Sequence, residues 1–303
     1  MADGGGAAVR STAEVRVVIA THRSAADVAG AIGSALAQGL GPSQVTVVDN
    51  ASPDGTLAAV RAAAPGVRLL AAPTNLGFGR ACNLGAAAAG GSALLLLNPD
   101  ATLRPGSLAA MLAALDADPR RGAVSPRIDR PDGRLDAACR RTFPSPAIAF
   151  YRLSGLSRLF PRHPRLAAYN RTHLPVDAPG PVDSGSGACL LLRRRAWDAV
   201  GGFDERYFMY GEDLDLCWRL AAAGWTTWYE PRARVVHRKG ASSEQGAVPM
   251  LLEFHKSMWR FYRTHYARGP AILLAPLVGA AILARAGGLV ALNLVRRHPR
   301  VSP

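Results

Sequence analysis

Val15-Arg16-Val17-Val18-Ile19-Ala20-Thr21-His22-Arg23 is an apolar run that ends on three polar residues. A short apolar run rich in β-branched residues is expected as a strand buried on both faces. The same pattern returns. Val45-Thr46-Val47-Val48 ends in Asp49-Asn50-Ala51-Ser52, residues 67–71 lead to Thr74-Asn75-Leu76-Gly77-Phe78-Gly79, and residues 93–97 lead to Asn98-Pro99-Asp100. Apolar residues at helical spacing fill the intervals 24–38, 54–64, 80–89 and 105–117, with Pro65-Gly66 as a stop. Strands alternating with helices at short spacing imply a parallel sheet covered on both faces. Such sheets bind ligands beyond the carboxyl ends of their strands. Thr21, Arg23, Asp49, Asn50, Asn75 and Asp100 gather at those ends, and the agreement of four strand ends says more than any single motif.

The bulk properties leave room for this reading. The chain has 303 residues, 49% of them hydrophobic, enough for one large domain or two small ones and against global disorder. A formal charge of +14, from 36 basic and 22 acidic residues, points to an anionic partner: nucleic acid, an anionic membrane surface or a phosphorylated substrate. No helix-turn-helix, zinc signature or basic stripe interleaved with aromatics is present, which argues against nucleic acid. Cys82, Cys139, Cys189 and Cys217 are far apart in sequence, so no zinc ribbon or redox CxxC motif exists and a reduced, cytoplasmic setting is expected. The first fourteen residues lack an apolar h-region and read as a flexible tail.

From about residue 126 the pattern changes. Residues 142–175 are rich in Pro, Arg and aromatics, and Asp183-Ser184-Gly185-Ser186-Gly187 is a loop leading into a strand at 188–192. An aromatic-rich turn, 203–210, precedes Gly211-Glu212-Asp213-Leu214-Asp215-Leu216-Cys217-Trp218-Arg219, which opens a helix over 212–223. Acidic residues at a helix start are ordinary, because the exposed N–H groups there favour negative charge. The aromatic frame, however, is expected to desolvate at least one carboxylate and suit it to act as a base near neutral pH. Asp215 stands one turn before Arg219, so the two have an ion-pair explanation. Asp213 shares the buried face with Leu216, Cys217 and Leu220 and has none; it is the first candidate for the base, with Glu212 in reserve. Residues 226–229 and 235–240 are further extended segments.

Other motifs carry two readings each. Gly77-Phe78-Gly79-Arg80-Ala81-Cys82 imitates a dinucleotide fingerprint, but Cys82 replaces the third glycine and the motif follows the third strand, not the first. A dehydrogenase is therefore set aside. Asp49 can accept hydrogen bonds from a base or sugar, or close an Asx turn with Asn50 and Ser52. Asp100 can cap the next helix or share a Mg²⁺ or Mn²⁺ ion with substrate phosphates, His237 being the candidate second ligand or a structural histidine.

The segment 271–295 is mostly apolar but is interrupted by Pro276, several glycines and Arg285. Its uninterrupted run, 271–284, is shorter than the ~20 residues a helical span requires. With Arg263, His265 and Arg268 before it and Arg296, Arg297 and Arg300 after it, the segment is expected as an interfacial, partly inserted helix pair, with a buried helical hairpin as the alternative.

Taken together, these stretches resemble the family 2 inverting glycosyltransferases of GT-A fold. The likeness spans roughly 14–240 and rests on residues 17–23, 47–52, 75–83, 96–100, 187–194, 201–208 and 211–219; it is greatest to rhamnosyltransferase-like bacterial members that build cell-wall polysaccharide. After the tail at 1–14, the resemblance implies a GT-A catalytic domain at 15–240. Within that domain, 15–125 would be the nucleotide-binding half and 126–240 the acceptor and catalytic half. A helical membrane-associating segment would follow at 241–303. It implies that Thr21, Arg23 and Asp49 hold the nucleoside and that Asn75, Gly79, Arg80 and Asn83 line the nucleotide pocket. Asp100 would bind the metal, Gly187 lie against the donor sugar, Asp213 act as base and His237 approach the metal or diphosphate. The family's DxD-type motif here reads Asn98-Pro99-Asp100, with a single acid. The implied reaction moves a sugar from a nucleotide-diphosphate donor, dTDP-rhamnose or a UDP-sugar, to a saccharide or polyprenyl-diphosphate-linked acceptor with Mg²⁺ or Mn²⁺. It would take place on the inner face of the cell membrane, at an anionic surface. A non-catalytic nucleotide-sugar-binding homologue is the rival, since a fold does not fix a function.

Overall fold

The computed structural model describes residues 11–238 and 247–295. The expected alternation opens it: β1 (Val15–Thr21), α1 (Val28–Leu36), β2 (Val45–Asp49), α2 (Thr56–Ala63), β3 (Arg68–Ala71), α3 (Phe78–Ala88) and β4 (Ala93–Leu97). Successive side chains of a strand point to opposite faces, and here both faces are covered. Val17 and Ile19 pack with Val28, Ile32 and Met111 on one side, while Val18 and Ala20 pack with Ala81, Cys82 and Leu216 on the other. This double burial is why the first strands are apolar throughout. Gly85 of α3 fits because it has no side chain: a Cβ there would lie 2.5 Å from Cγ1 of Val18.

The rest of the sheet is made by β5 (Ala101–Leu103), β6 (Arg121–Asp129), β7 (Gly180–Val182), β8 (Cys189–Arg193) and β9 (Thr226–His237). The order is β3-β2-β1-β4-β8-β6-β9-β5, with β7 paired to β9. The pairings among β1 to β4 are parallel as expected, but β8 inserts antiparallel between β4 and β6 and turns the sheet mixed. One sheet thus runs through both halves, 15–125 and 126–240. The helices α4 (Ser107–Asp116), α5 (Pro146–Leu153), α6 (Leu156–Leu159), α7 (Arg194–Ala199) and α8 (Glu212–Ala222) complete this part.

Two helices follow, α9 (Ala247–His265) and α10 (Ala275–Val295), joined by a short 3₁₀ turn. The expected pair of helices within 271–295 is instead the single continuous α10, because the glycines and Arg285 cost helix stability without breaking the backbone ladder. Residues 269–294 are long and apolar enough to cross a membrane, and only 11% of the most apolar window is buried. Helix α9 docks on α8: His265 Nε2 stands 2.8 Å from Asp215 Oδ1, and Trp218 packs against Phe261, His265 and Tyr266. The tail up to residue 10, the end of the extended segment at 239–240, and Arg296, Arg297 and Arg300 lie outside the described residues.

Candidate active site

A cavity of about 1570 Å³ opens beyond the carboxyl ends of β1, β2 and β4, where the sheet topology places ligand sites. Thr21, Arg23, Asn75, Asp100, Gly187, Glu212, Asp213 and His237 all line it. Residues from Thr21 to His237 therefore converge on one space.

Asp49 is not in the lining. It is 1% exposed; its Oδ1 accepts from Thr21 Oγ1 at 3.1 Å and its Oδ2 from Ser52 N at 3.0 Å. It closes the Asx turn and anchors Thr21, which itself lines the cavity. Gly79, Arg80 and Asn83 also stand away from the cavity, a correction with a clear cause. They lie on the side of α3 that meets the 201–208 loop. Gly79 packs under Phe203, Arg80 pairs with Glu205 at 3.1 Å, and Asn83 donates to Phe203 O at 2.9 Å. Their work is to fix that loop against α3. The same junction explains Gly77: its φ is +83°, and a Cβ would meet Phe208 O at 2.4 Å. Residue 77 must be glycine for the loop carrying the aromatic frame to close on α3.

The acidic helix start is more specialised than its spacing suggests. Gly211, at φ +79°, caps α8, and Glu212, Asp213 and Asp215 are all buried. Asp215 pairs with Arg219 at 2.7 Å, as expected, and with His265 as well. Asp213, which the sequence leaves without a partner, has one: Arg141 Nη2 donates to Asp213 Oδ2 at 2.7 Å. Gly187 N donates to the same oxygen at 3.1 Å, and Leu214 N to Oδ1 at 2.8 Å. Arg141 is in turn held by Ser184 Oγ and the Gly185 carbonyl. Burial alone would weaken its charge, but the Asp213 carboxylate overrides that and holds the guanidinium more firmly protonated than usual.

Glu212 is buried as well. Its Oε2 is buried without a hydrogen-bond partner. Burial first, and the neighbouring Asp213 charge second, push its pKa up to about 8. Of these two adjacent carboxyls one is fixed by three donors, and the other, Glu212, carries a proton at neutral pH.

Elsewhere in the lining His237 Nε2 lies 3.1 Å from Asp100 Oδ1, and its Nδ1 lies 3.9 Å from Asp136 Oδ2. Burial pulls this imidazole down, but the Asp100 and Asp136 carboxylates outweigh it and lift the pKa to about 9. The Asn98 side chain approaches His237 Nε2 to 3.4 Å, and its Oδ1 is buried with no partner. Among the described residues no group of three His, Cys, Asp or Glu forms a ready metal cage. A carboxylate, an imidazole and an unpartnered amide oxygen nevertheless suit a divalent ion that completes its shell from substrate phosphates.

Asp136 and Arg141 escape sequence reading. They sit in an arginine-rich stretch far from the motifs they join, and only the path of the chain from β6 to β7 brings them to the cavity.

Comparison with known proteins agrees with this architecture. The chain is 41% identical over 231 residues to the N-acetylglucosaminyl-diphospho-decaprenol L-rhamnosyltransferase of Mycobacterium tuberculosis (strain CDC 1551 / Oshkosh), covering 73% of this chain and 74% of that protein. Among solved structures it resembles a Pyrobaculum calidifontis mannosyltransferase in complex with GDP-Man and Mn²⁺. The TM-score is 0.58 at 20% identity, over 94% of this chain and 76% of the other. S. aureus TarS 1-349 in complex with UDP-GlcNAc matches with a TM-score of 0.55 at 16% identity, over 91% and 73%. These two likenesses concern the fold, which is GT-A. The model of glycosyl transferase family 2 matches residues 16–198, more than half of the chain; the protein belongs to that family and is a glycosyltransferase.

Proposed function

We propose that the enzyme transfers rhamnose from a nucleotide-diphosphate donor, dTDP-rhamnose, to a hydroxyl of a saccharide carried on a polyprenyl diphosphate, with inversion at the anomeric carbon and Asp213 as the base. The observation that carries the reading is the placement of Asp213 in the cavity that also holds Asp100 and His237. An acceptor above Asp213 and a donor diphosphate near Asp100 fit one space. The 41% identical mycobacterial rhamnosyltransferase supports the choice of sugar and acceptor.

An ionised carboxylate offers about four lone-pair sites. Arg141, Gly187 and Leu214 fill three on Asp213, which leaves one for the proton of the acceptor hydroxyl. As that oxygen attacks from the face opposite the leaving diphosphate, one displacement inverts the centre and no enzyme nucleophile is needed. Thr21, Arg23 and Asn75 line the nucleotide end, and Gly187 keeps the backbone close to Asp213. Asp100, His237 and Asn98 would hold a Mg²⁺ or Mn²⁺ ion, which when bound neutralises charge on the leaving diphosphate.

The site of action is the cytoplasmic face of the membrane. The +14 charge favours an anionic surface, and the outward side chains of the C-terminal segment are apolar, with Leu273 81% and Leu283 73% exposed.

The test is transfer from dTDP-rhamnose to a synthetic lipid-diphospho-saccharide, with the product's anomeric configuration read by NMR. Inversion, and its loss in Asp213→Asn, is the expected result. Retention of configuration, or near-normal turnover by that variant, overturns the reading.

A further inference from the structure

Beyond Asp213 the cavity continues between α5 and the α9–α10 pair, and its lining becomes apolar. Phe150 and Leu153 come from α5, Phe254 from α9, and Leu277 and Ile282 from α10. Three guanidiniums interrupt this lining, the exposed Arg158 and the pair Arg152 and Arg285. Arg152 and Arg285 are part-buried, and among the described residues neither forms an ion pair with a carboxylate.

Arg285 is held in place by a neutral group. Its Nη1 lies 2.7 Å from His255 Nε2, while His255 Nδ1 lies 2.7 Å from the Leu251 carbonyl. The carbonyl can only accept, so Nδ1 carries the proton and Nε2 accepts from Arg285. Burial, and then the Arg285 charge, lower the His255 pKa and keep the imidazole neutral. Arg152 rests over the Tyr169 ring at 5.9 Å. Burial weakens the Arg285 charge, and the Arg152 charge weakens it further, so the two guanidiniums repel each other.

An arginine on an interrupted apolar helix is costly in this setting. Two of them, sharing a cavity end without a protein anion, make a fork-donor site for a ligand that is doubly anionic and attached to something apolar. We infer that this end of the cavity is the lipid-diphosphate subsite of the acceptor. Arg152 and Arg285 hold the diphosphate that joins saccharide to lipid, and the apolar lining takes the first isoprenoid units as they leave toward the exposed side of α10. The donor's diphosphate belongs with Asp100 and His237, so the acceptor's diphosphate is given its own pair of cations. The inference rests on the lipid-linked acceptor proposed above and adds the residues that recognise it.

The experiment uses the full chain with a lipid-diphospho-saccharide acceptor, and farnesyl diphosphate and farnesol as probes. Farnesyl diphosphate is expected to inhibit competitively against the acceptor and not against the nucleotide sugar, at least tenfold better than farnesol. Arg152→Gln and Arg285→Gln are each expected to raise the acceptor KM about tenfold, the loss of one charge-assisted hydrogen bond, and to erase the preference for farnesyl diphosphate. Inhibition competitive with the nucleotide sugar, equal inhibition by farnesol, or unchanged acceptor KM in both variants overturns the assignment. The two variants lie on different elements, so misfolding of one leaves the other to decide. Failure of the wild-type enzyme to glycosylate any lipid-diphospho-saccharide would strike the proposed function instead. Calorimetric binding of farnesyl diphosphate to wild type and variants would then decide the subsite alone.

Discussion

Arg141 and Asp213, 72 residues apart in sequence, form a buried ion pair with Nη2 and Oδ2 at 2.7 Å. The pair ties the segment after β6 to the first turn of α8, and Gly187 from the loop before β8 closes on the same oxygen. Three chain segments thereby fix the angle of one carboxylate. A base held this way needs little reorganisation when the proton arrives, the condition under which fixed polar groups contribute most to catalysis. Glu212, one residue earlier, has no such donors on Oε2 and is neutralised by burial instead.

Asp213→Asn and Glu212→Gln should therefore separate. Asp213→Asn removes the proposed proton acceptor but keeps the shape, and kcat is expected to fall by about 10²–10⁴. Glu212→Gln imitates the protonated form that the site already holds, and kcat should fall less than tenfold. Steady-state transfer assays distinguish them; a reversed order would move the base to Glu212.

Arg141→Ala is expected to cost stability as well as activity. It strands Asp213 in a buried site without its counter-charge, a loss of about 3–5 kcal/mol in comparable pairs. Arg141→Lys keeps the charge but cannot reach Asp213, Ser184 and the Gly185 carbonyl together. Urea unfolding should rank the chains wild type, Lys, Ala; equal midpoints would show the pair to be dispensable for the fold.

The first half of the fold was legible because β1 to β4 are buried on both faces, so the period-2 alternation is replaced by plain apolar runs that composition reveals. The second half was not. β6 contains Pro126 and charged residues, and β9 contains Pro231, so both look broken. The pairing runs Pro126 to Glu230 and then Arg127 to Arg234, and this irregularity carries residues 231–233 out of register. Proline is tolerated at such bulges, and two expected segments are one strand of 12 residues. At the site, Asp213 stood out by helical spacing, whereas its partner was one arginine among 36 basic residues. The family resemblance implied that Asn83 and Arg80 line the nucleotide pocket; only the helix face decides that they meet the 201–208 loop.

Glu212 also gives a pH signature to stability. Below its ordinary value of 4.5 the carboxyl is protonated in both folded and unfolded chains. Between 4.5 and about 8 only the folded chain keeps the proton, so the unfolded state gains by ionising and stability falls as pH rises. Above about 8 both forms are ionised and the deficit is constant. Glu212→Gln removes this dependence. The variant's melting temperature should rise relative to wild type from pH 5 to pH 8; parallel curves would show that Glu212 is not held protonated.

In the proposed metal site His237 would couple metal to proton. Its pKa of about 9 means that the imidazole is protonated at neutral pH when only Asp100 and Asp136 face it. A metal ligand must be neutral, so binding releases that proton. Mn²⁺ affinity in the presence of dTDP, followed by electron paramagnetic resonance, should tighten from pH 6 to 9 by up to about tenfold per unit, the limit for one proton released. His237→Ala should flatten the dependence and Asp100→Asn should weaken binding throughout. A pH-independent affinity in the wild type would remove His237 from the metal site.

The last test concerns the outward face of the C-terminal segment. Leu273 and Leu283 are 81% and 73% exposed and stand outside the cavity lining, so glutamates there disturb neither the core nor the site. Inserting apolar side chains into the lipid boundary and attracting anionic headgroups act together at such helices. Leu273→Glu with Leu283→Glu reverses both effects, replacing two apolar insertions by two like charges. Cosedimentation with phosphatidylglycerol vesicles should fall at least tenfold, while transfer to a short-chain, water-soluble acceptor stays within twofold of wild type. Undiminished vesicle binding would mean that another surface of the basic chain meets the membrane, and that the exposed leucines face something else.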